Sequence, residues 1–195
     1  MQIRQQGFTL IEVLVALALS GVLLLGTMRL FPALQRNVLR EYQFTSARES
    51  VWELAYRIGK HLQRAGYCRG VCTAPALQIE QGGSRVLIQW QTPDPRYTDG
   101  FEYQRIGYRL HQGELQILKG MKEFTGELWE KITDPGLVTL MHFSVTQLSR
   151  SGGPPLLVIN LVARQKQTSS LIRVRHIVRG ENLWMDPEKP EIAQY

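Results

Sequence analysis

One apolar run, Phe8 to Met28, constrains this chain more than any other stretch: 21 residues that contain a single ionisable side chain, Glu12. That length crosses a bilayer as a helix. A carboxylate inside such a span costs about 2.5–3.5 kcal/mol on insertion scales, so it persists where a partner or a task requires it. No side chain nearby supplies a cation. Arg4 lies beyond Gly7, and Arg29 is about 25 Å further along a helix that rises 1.5 Å per residue. Cutting the chain after Gly7 would create one, because Phe8 would then carry a free ammonium one helical turn from Glu12. That amine can meet Glu12 of its own chain or of a neighbouring subunit packed with an axial offset. In the second arrangement the acid is an assembly device.

Three plainer readings use the same residues. Thr9-Leu10-Ile11-Glu12 fits the S/T-x-x-E capping box, in which Glu12 satisfies a helix start. Ala16-Leu17-Ala18 fits the small-residue cleavage site of a secretory signal, although the apolar run continues well past it. A plain single-span anchor with an unprocessed leader is the third.

At these positions the sequence resembles the type IV prepilin family, which includes the pseudopilins of type II secretion. The residues that carry the resemblance are a short polar leader with Arg4, then Gly7, Phe8, Thr9, Leu10, Glu12 and an uninterrupted apolar helix. The resemblance implies that a membrane aspartyl peptidase, the prepilin peptidase, cuts between Gly7 and Phe8 and N-methylates Phe8. It also implies that Glu12 is needed for filament assembly. The implied partners are that peptidase, other minor pilins or pseudopilins, the major subunit and an inner-membrane assembly platform. In the secretion branch the tip-most subunit often lacks the glutamate, so Glu12 suggests a place below the very tip.

The implied location is the inner membrane, crossed once, with a cytoplasmic N-terminus and a periplasmic C-terminal domain. Arg4, the only charge in the leader, agrees with that orientation. Arg29, Arg36 and Arg40 on the far side run against it by charge count, and the resemblance outweighs them. The chain then divides into a leader, residues 1–7, a transmembrane half-helix, 8–31, an amphipathic half-helix, 32–65, a β-rich periplasmic domain, 66–180, and a C-terminal tail, 181–195.

Beyond the leader and the membrane segment, about 160 residues remain, enough for one compact domain. The net charge of +6 is modest, and Lys and Arg are scattered without a run of four. By composition alone a nucleic-acid partner is not expected. Cys68 and Cys72 are the two cysteines. A close pair in an oxidising compartment points to a disulfide around a small loop. A metal site would need two further ligands, with His61 alone close in sequence. A redox pair normally has two intervening residues, whereas this one has three.

Pro32 removes a helical N–H and should kink or loosen the rod. Val38, Tyr42, Val51, Leu54, Ala55, Ile58 and Leu62 recur at spacings of three and four, which predicts an amphipathic helix with one face on a core. Gly66 should end it. Leu77–Glu80 and Arg85–Gln91 flank Gln81-Gly82-Gly83-Ser84, a hairpin signal. Thr92–Gly100 reads as a loop because of its prolines and glycine. Its aspartates, Asp94 and Asp99, lack the alternating ligands of a calcium loop.

Tyr103–Leu110 and Glu114–Leu118, joined by His111-Gln112-Gly113, predict a second hairpin, and Gly126–Lys131 a short helix. Val138–Leu148 alternates, with Leu140 and His142 on one side and Met141, Phe143 and Val145 on the other. Leu156–Val162 reads as a central strand, reached by a turn at Ser151–Pro155. Ser170–Val178 sets Ile172, Val174 and Val178 against Arg173 and Arg175.

The expected class is α+β: a pilin fold, with a long N-terminal helix packed on an antiparallel sheet of six or seven strands. The length resembles J-type minor pseudopilins and PilW-like proteins, and His61–Cys68 resembles enterobacterial prepilin peptidase-dependent proteins. No catalytic residues, cofactor or metal are expected. His61, His111, His142 and His176 are far apart, and no nucleophile elbow or phosphate-binding loop is present. Trp52, Trp90, Trp129 and Trp184 read as core or interface. Two other classes remain open: a binding module that captures DNA or a surface through Arg173, Arg175 and Arg179, and a generic membrane-anchored protein.

Overall fold

A single helix, α1 (Leu10–Arg64), opens the computed structural model, which describes residues 7–69, 75–93, 96, 100–120 and 128–183. The chain divides into two units, Met1–Gln43 and Phe44–Tyr195. In the first, the apolar side chains of α1 are exposed from Leu10 to Leu39. This helix is long and apolar enough to cross a membrane. It continues through Pro32, where the missing N–H leaves the carbonyl of Met28 without its helical donor. Ser20 and Thr27 turn their hydroxyls back onto the carbonyls of Ala16 and Leu24, so neither presents an unmet donor to lipid.

In the second unit one face of α1 is buried: Ala47, Val51, Leu54, Ala55, Ile58 and Leu62. The expected stripe starts too early, since Val38 and Tyr42 are 66% and 71% exposed. Helical spacing marks a face, but burial needs strands to cover it, and coverage begins after Gln43. Gly66 ends the helix as expected, with φ +80. A β-carbon there would meet the backbone oxygen of Asn182 at 2.6 Å, so a hydrogen alone fits.

Among the described residues eight strands follow, in two antiparallel sheets rather than one. The first sheet takes the order β1 (Leu77–Glu80), β2 (Arg85–Pro93), β3 (Phe101–His111), β4 (Glu114–Lys119) and β5 (Glu130–Lys131). The second contains β6 (Val138–Arg150), β7 (Gly153–Gln165) and β8 (Leu171–Arg179), with β7 in the middle. Glycine turns tie the two together. The Gly113 carbonyl accepts the Leu140 N–H at 2.7 Å, and a β-carbon on Gly83 would lie 2.6 Å from the Val145 oxygen.

Several local readings change. Thr92 and Pro93 belong to β2, where Pro93 pairs with Phe101 at the end of the ladder and need donate nothing further. Glu130 and Lys131 are strand, not helix, because Ile117 and Gln116 of β4 offer them a ladder. The Ser151–Pro155 turn shortens to Ser151–Gly152, and Gly153–Pro155 joins β7.

In β6 the pairing shifts between Leu140 and His142, leaving Met141 as an extra residue. That bulge reverses the alternation, so Leu140 and Phe143 both face the core while Met141 is exposed. The β8 pattern holds: Ile172, Val174 and Val178 are buried, and the arginines between them are exposed. Asp94, Asp99, residues 121–127, Trp184 and the prolines of the tail lie outside the described residues.

Candidate processing and assembly site

The helix starts where its side chains satisfy it. Thr9 is the residue before the first helical turn, and its N–H and hydroxyl both donate to Glu12 Oε2, at 2.9 and 3.0 Å. The Glu12 N–H in turn lies 3.3 Å from Thr9 Oγ1. This reciprocal pair is the capping box read from Thr9-Leu10-Ile11-Glu12, and it meets two N–H groups that the helix leaves unpaired.

The capping box does not neutralise the carboxylate. Among the described residues Glu12 is in no ion pair. It sits in a shallow apolar groove lined by Phe8, Val13, Ala16, Leu17 and Ser20. Phe8, Glu12, Ala16 and Ser20 fall at intervals of four, so they form one stripe of the helix.

Gly7 and Phe8 precede the helix in non-helical, exposed backbone. Nothing lies within 4 Å of where a Gly7 β-carbon would be. Among the described residues nothing therefore crowds Gly7, and both residues flanking the bond are exposed. Arg4, the side chain of Arg29 and Cys72 lie outside the described residues. Cys68 lies just past the end of the helix, where the neighbouring Arg69 N–H donates to Gln91 Oε1 at 2.7 Å.

The histidines do not converge. Among the described residues no group of three His, Cys, Asp or Glu is placed to hold a metal. His142 pairs with Ser144 at 3.0 Å, and His176 packs near Trp52 and Tyr56. His61 is the one with a built environment, which sequence spacing did not disclose. Its ring stacks between Trp90 and Tyr108, and Nδ1 lies 2.6 Å from the Tyr108 hydroxyl. Burial, reinforced by the charges of Arg64, Arg57 and Lys119, pushes His61 down to about 4. Burial raises the Tyr108 phenol. A half-buried neutral imidazole hydrogen-bonded to a phenol fastens α1 to β3.

Comparison with known proteins gives three findings. A family model described as prepilin peptidase-dependent protein B matches residues 40–180, and one described as the prokaryotic N-terminal methylation motif matches residues 3–28. The prepilin peptidase-dependent protein B of Escherichia coli (strain K12) is 37% identical over 187 residues, which cover 94% of this chain and 100% of that one. A type IV-like pilin from Thermus thermophilus superposes with a TM-score of 0.49 at 18% identity, covering 70% of this chain and 97% of that one.

Proposed function

Because the chain belongs to the prepilin peptidase-dependent protein B family, type IV pilin-like proteins with an N-terminal methylation motif, we propose that it is a minor pilin or pseudopilin subunit of a filament's initiating or tip complex. The proposed sequence of events starts with single-pass insertion, the N-terminus in the cytoplasm and residues 66–180 in the periplasm. Prepilin peptidase then cuts between Gly7 and Phe8 and methylates the new amine. The ammonium of Phe8, or that of an adjacent subunit, meets Glu12, and the stripe of residues 8–31 packs against other pilin helices.

The observation that carries this reading is the state of Glu12. Its carboxylate is held at the helix start by Thr9, uncompensated in charge among the described residues, one helical turn from the nitrogen that cleavage would expose. A charge left so in lipid calls for a counter-ion, and an amine produced at that place is the counter-ion the sequence can make. We further propose a Cys68–Cys72 disulfide. Its support is that no described cysteine is a free thiol and that the chain has two cysteines.

Mass spectrometry of the full chain extracted from membranes that contain the peptidase tests both points. The expected spectrum shows methylated Phe8 as the first residue and a bridged Cys68–Cys72 peptide. An intact Met1 rejects the processing, and two alkylatable thiols reject the bridge.

A further inference from the structure

The outer face of the β6–β7–β8 sheet, the one turned away from the core, gathers arginines that are dispersed in the sequence. On β8 the exposed residues include Arg173, Arg175 and Arg179. At about 3.4 Å per residue, the first two lie about 7 Å apart and the outer two span about 20 Å. Arg164 of β7 pairs with Leu171, so it lies diagonally across from Arg173 on the same face, about 7–8 Å away. None of the four is in an ion pair among the described residues. No Asp or Glu occurs on the three strands.

We propose that this face docks the phosphate backbone of duplex DNA. A row of four guanidiniums with no carboxylate among them suits a partner whose negative charge repeats at short, regular intervals. Duplex DNA carries one charge per about 1.7 Å of axis, so the row finds phosphates in any register. A protein partner would be held in register by charges of both signs, and the face has one sign. Asn160, a neutral hydrogen-bonding side chain of the kind that binds phosphate oxygens, lies opposite Arg175, while Val162, Leu156 and Leu171 lie opposite Arg173, Arg179 and Arg164. No Phe, Tyr or Trp lies on the outward positions of these strands, and the outward ring of His142 is paired with Ser144, so base stacking, the usual grip on single strands, has little platform there. Binding would be independent of sequence.

The test uses the full chain in a neutral detergent and the fluorescence anisotropy of a labelled duplex of arbitrary sequence, with about four phosphate contacts expected. Raising salt from about 50 to 200 mM should weaken wild-type binding about 150-fold, and that of R173Q/R175Q/R179Q about 4-fold. These side chains are exposed, so the variant should melt with the wild type. R36Q/R40Q/K60Q removes the same charge elsewhere and should keep the wild-type salt dependence. The proposal is overturned if the wild type does not bind duplex at the lower salt, if the first variant keeps the full salt dependence, or if the second loses as much. Displacement of the duplex by phosphatidylglycerol vesicles at equal phosphate overturns it in favour of a lipid surface.

Discussion

Glu12→Gln separates the two jobs that Glu12 can do. A glutamine serves the capping box as well as a glutamate, because its amide oxygen can accept the same two bonds from the Thr9 N–H and hydroxyl, now 2.9 and 3.0 Å long. Losing the box altogether, as in Glu12→Leu, costs the helix start roughly 0.5–2 kcal/mol. The charge is what glutamine removes. A pair of opposite charges about 4 Å apart at an effective dielectric of 20 is worth about 4 kcal/mol, close to a thousandfold in an association constant. Membrane insertion should not suffer, since the charge and its insertion cost are gone. Glu12→Gln is therefore expected to reach the membrane at wild-type level, keep its helix content, and co-isolate other pilin subunits about a thousandfold more weakly. The assay is affinity isolation of the tagged full chain from solubilised membranes, with sheared filaments quantified in parallel. Normal assembly by Glu12→Gln alongside failure of Glu12→Leu would mean that the cap matters and the charge does not, which refutes the pairing.

Two further outcomes follow from the soluble half. His61 is neutral when folded, at about 4, against about 6.5 in an unfolded chain, so its contribution is complete above about pH 6.5 and is lost as pH falls towards 4. Between pH 7.5 and 5 the loss is at most about 2 kcal/mol, brought down to about 1 by solvent at the exposed edge of the ring. Thermal unfolding of the full chain in detergent should show this slope and His61→Gln should flatten it; equal slopes in both would remove His61 as the cause. Gly66→Ala forces a β-carbon into a left-handed residue 2.6 Å from the Asn182 oxygen. It should cost at least about 2 kcal/mol, or about 4–8 °C in Tm. An unchanged Tm would show that the turn relaxes freely.

The legible parts of this chain are those fixed by neighbours in sequence. The capping box is written in four consecutive residues, the hairpin at Gln112–Gly113 in two with positive φ, and the β8 face in a strict alternation. The membrane-length run needs composition alone. What escaped depends on partners distant in sequence. The Met141 bulge exists because the register against β7 slips there, and no property of Met141 announces it. The split into two sheets rests on β6 pairing with β7 and leaving the edge of the first sheet to β5. The His61 clasp joins residues 47 apart. Arg164 lies beyond Leu156–Val162, the stretch that reads as an apolar strand, and it is the pairing with β8 that brings it beside Arg173.

The first turn of α1 is capped by the bonds between Thr9 and Glu12. A cut between Gly7 and Phe8 leaves both residues, and the amide that joins them to the new end, untouched. On the processing proposed above, maturation is an electrical event without a mechanical one: the capped turn stands on both sides of the cut, relabelled at one end by a positive charge. On that proposal a subunit would wait in the membrane with its helix start already formed, and the cut would decide when it becomes competent to join its neighbours.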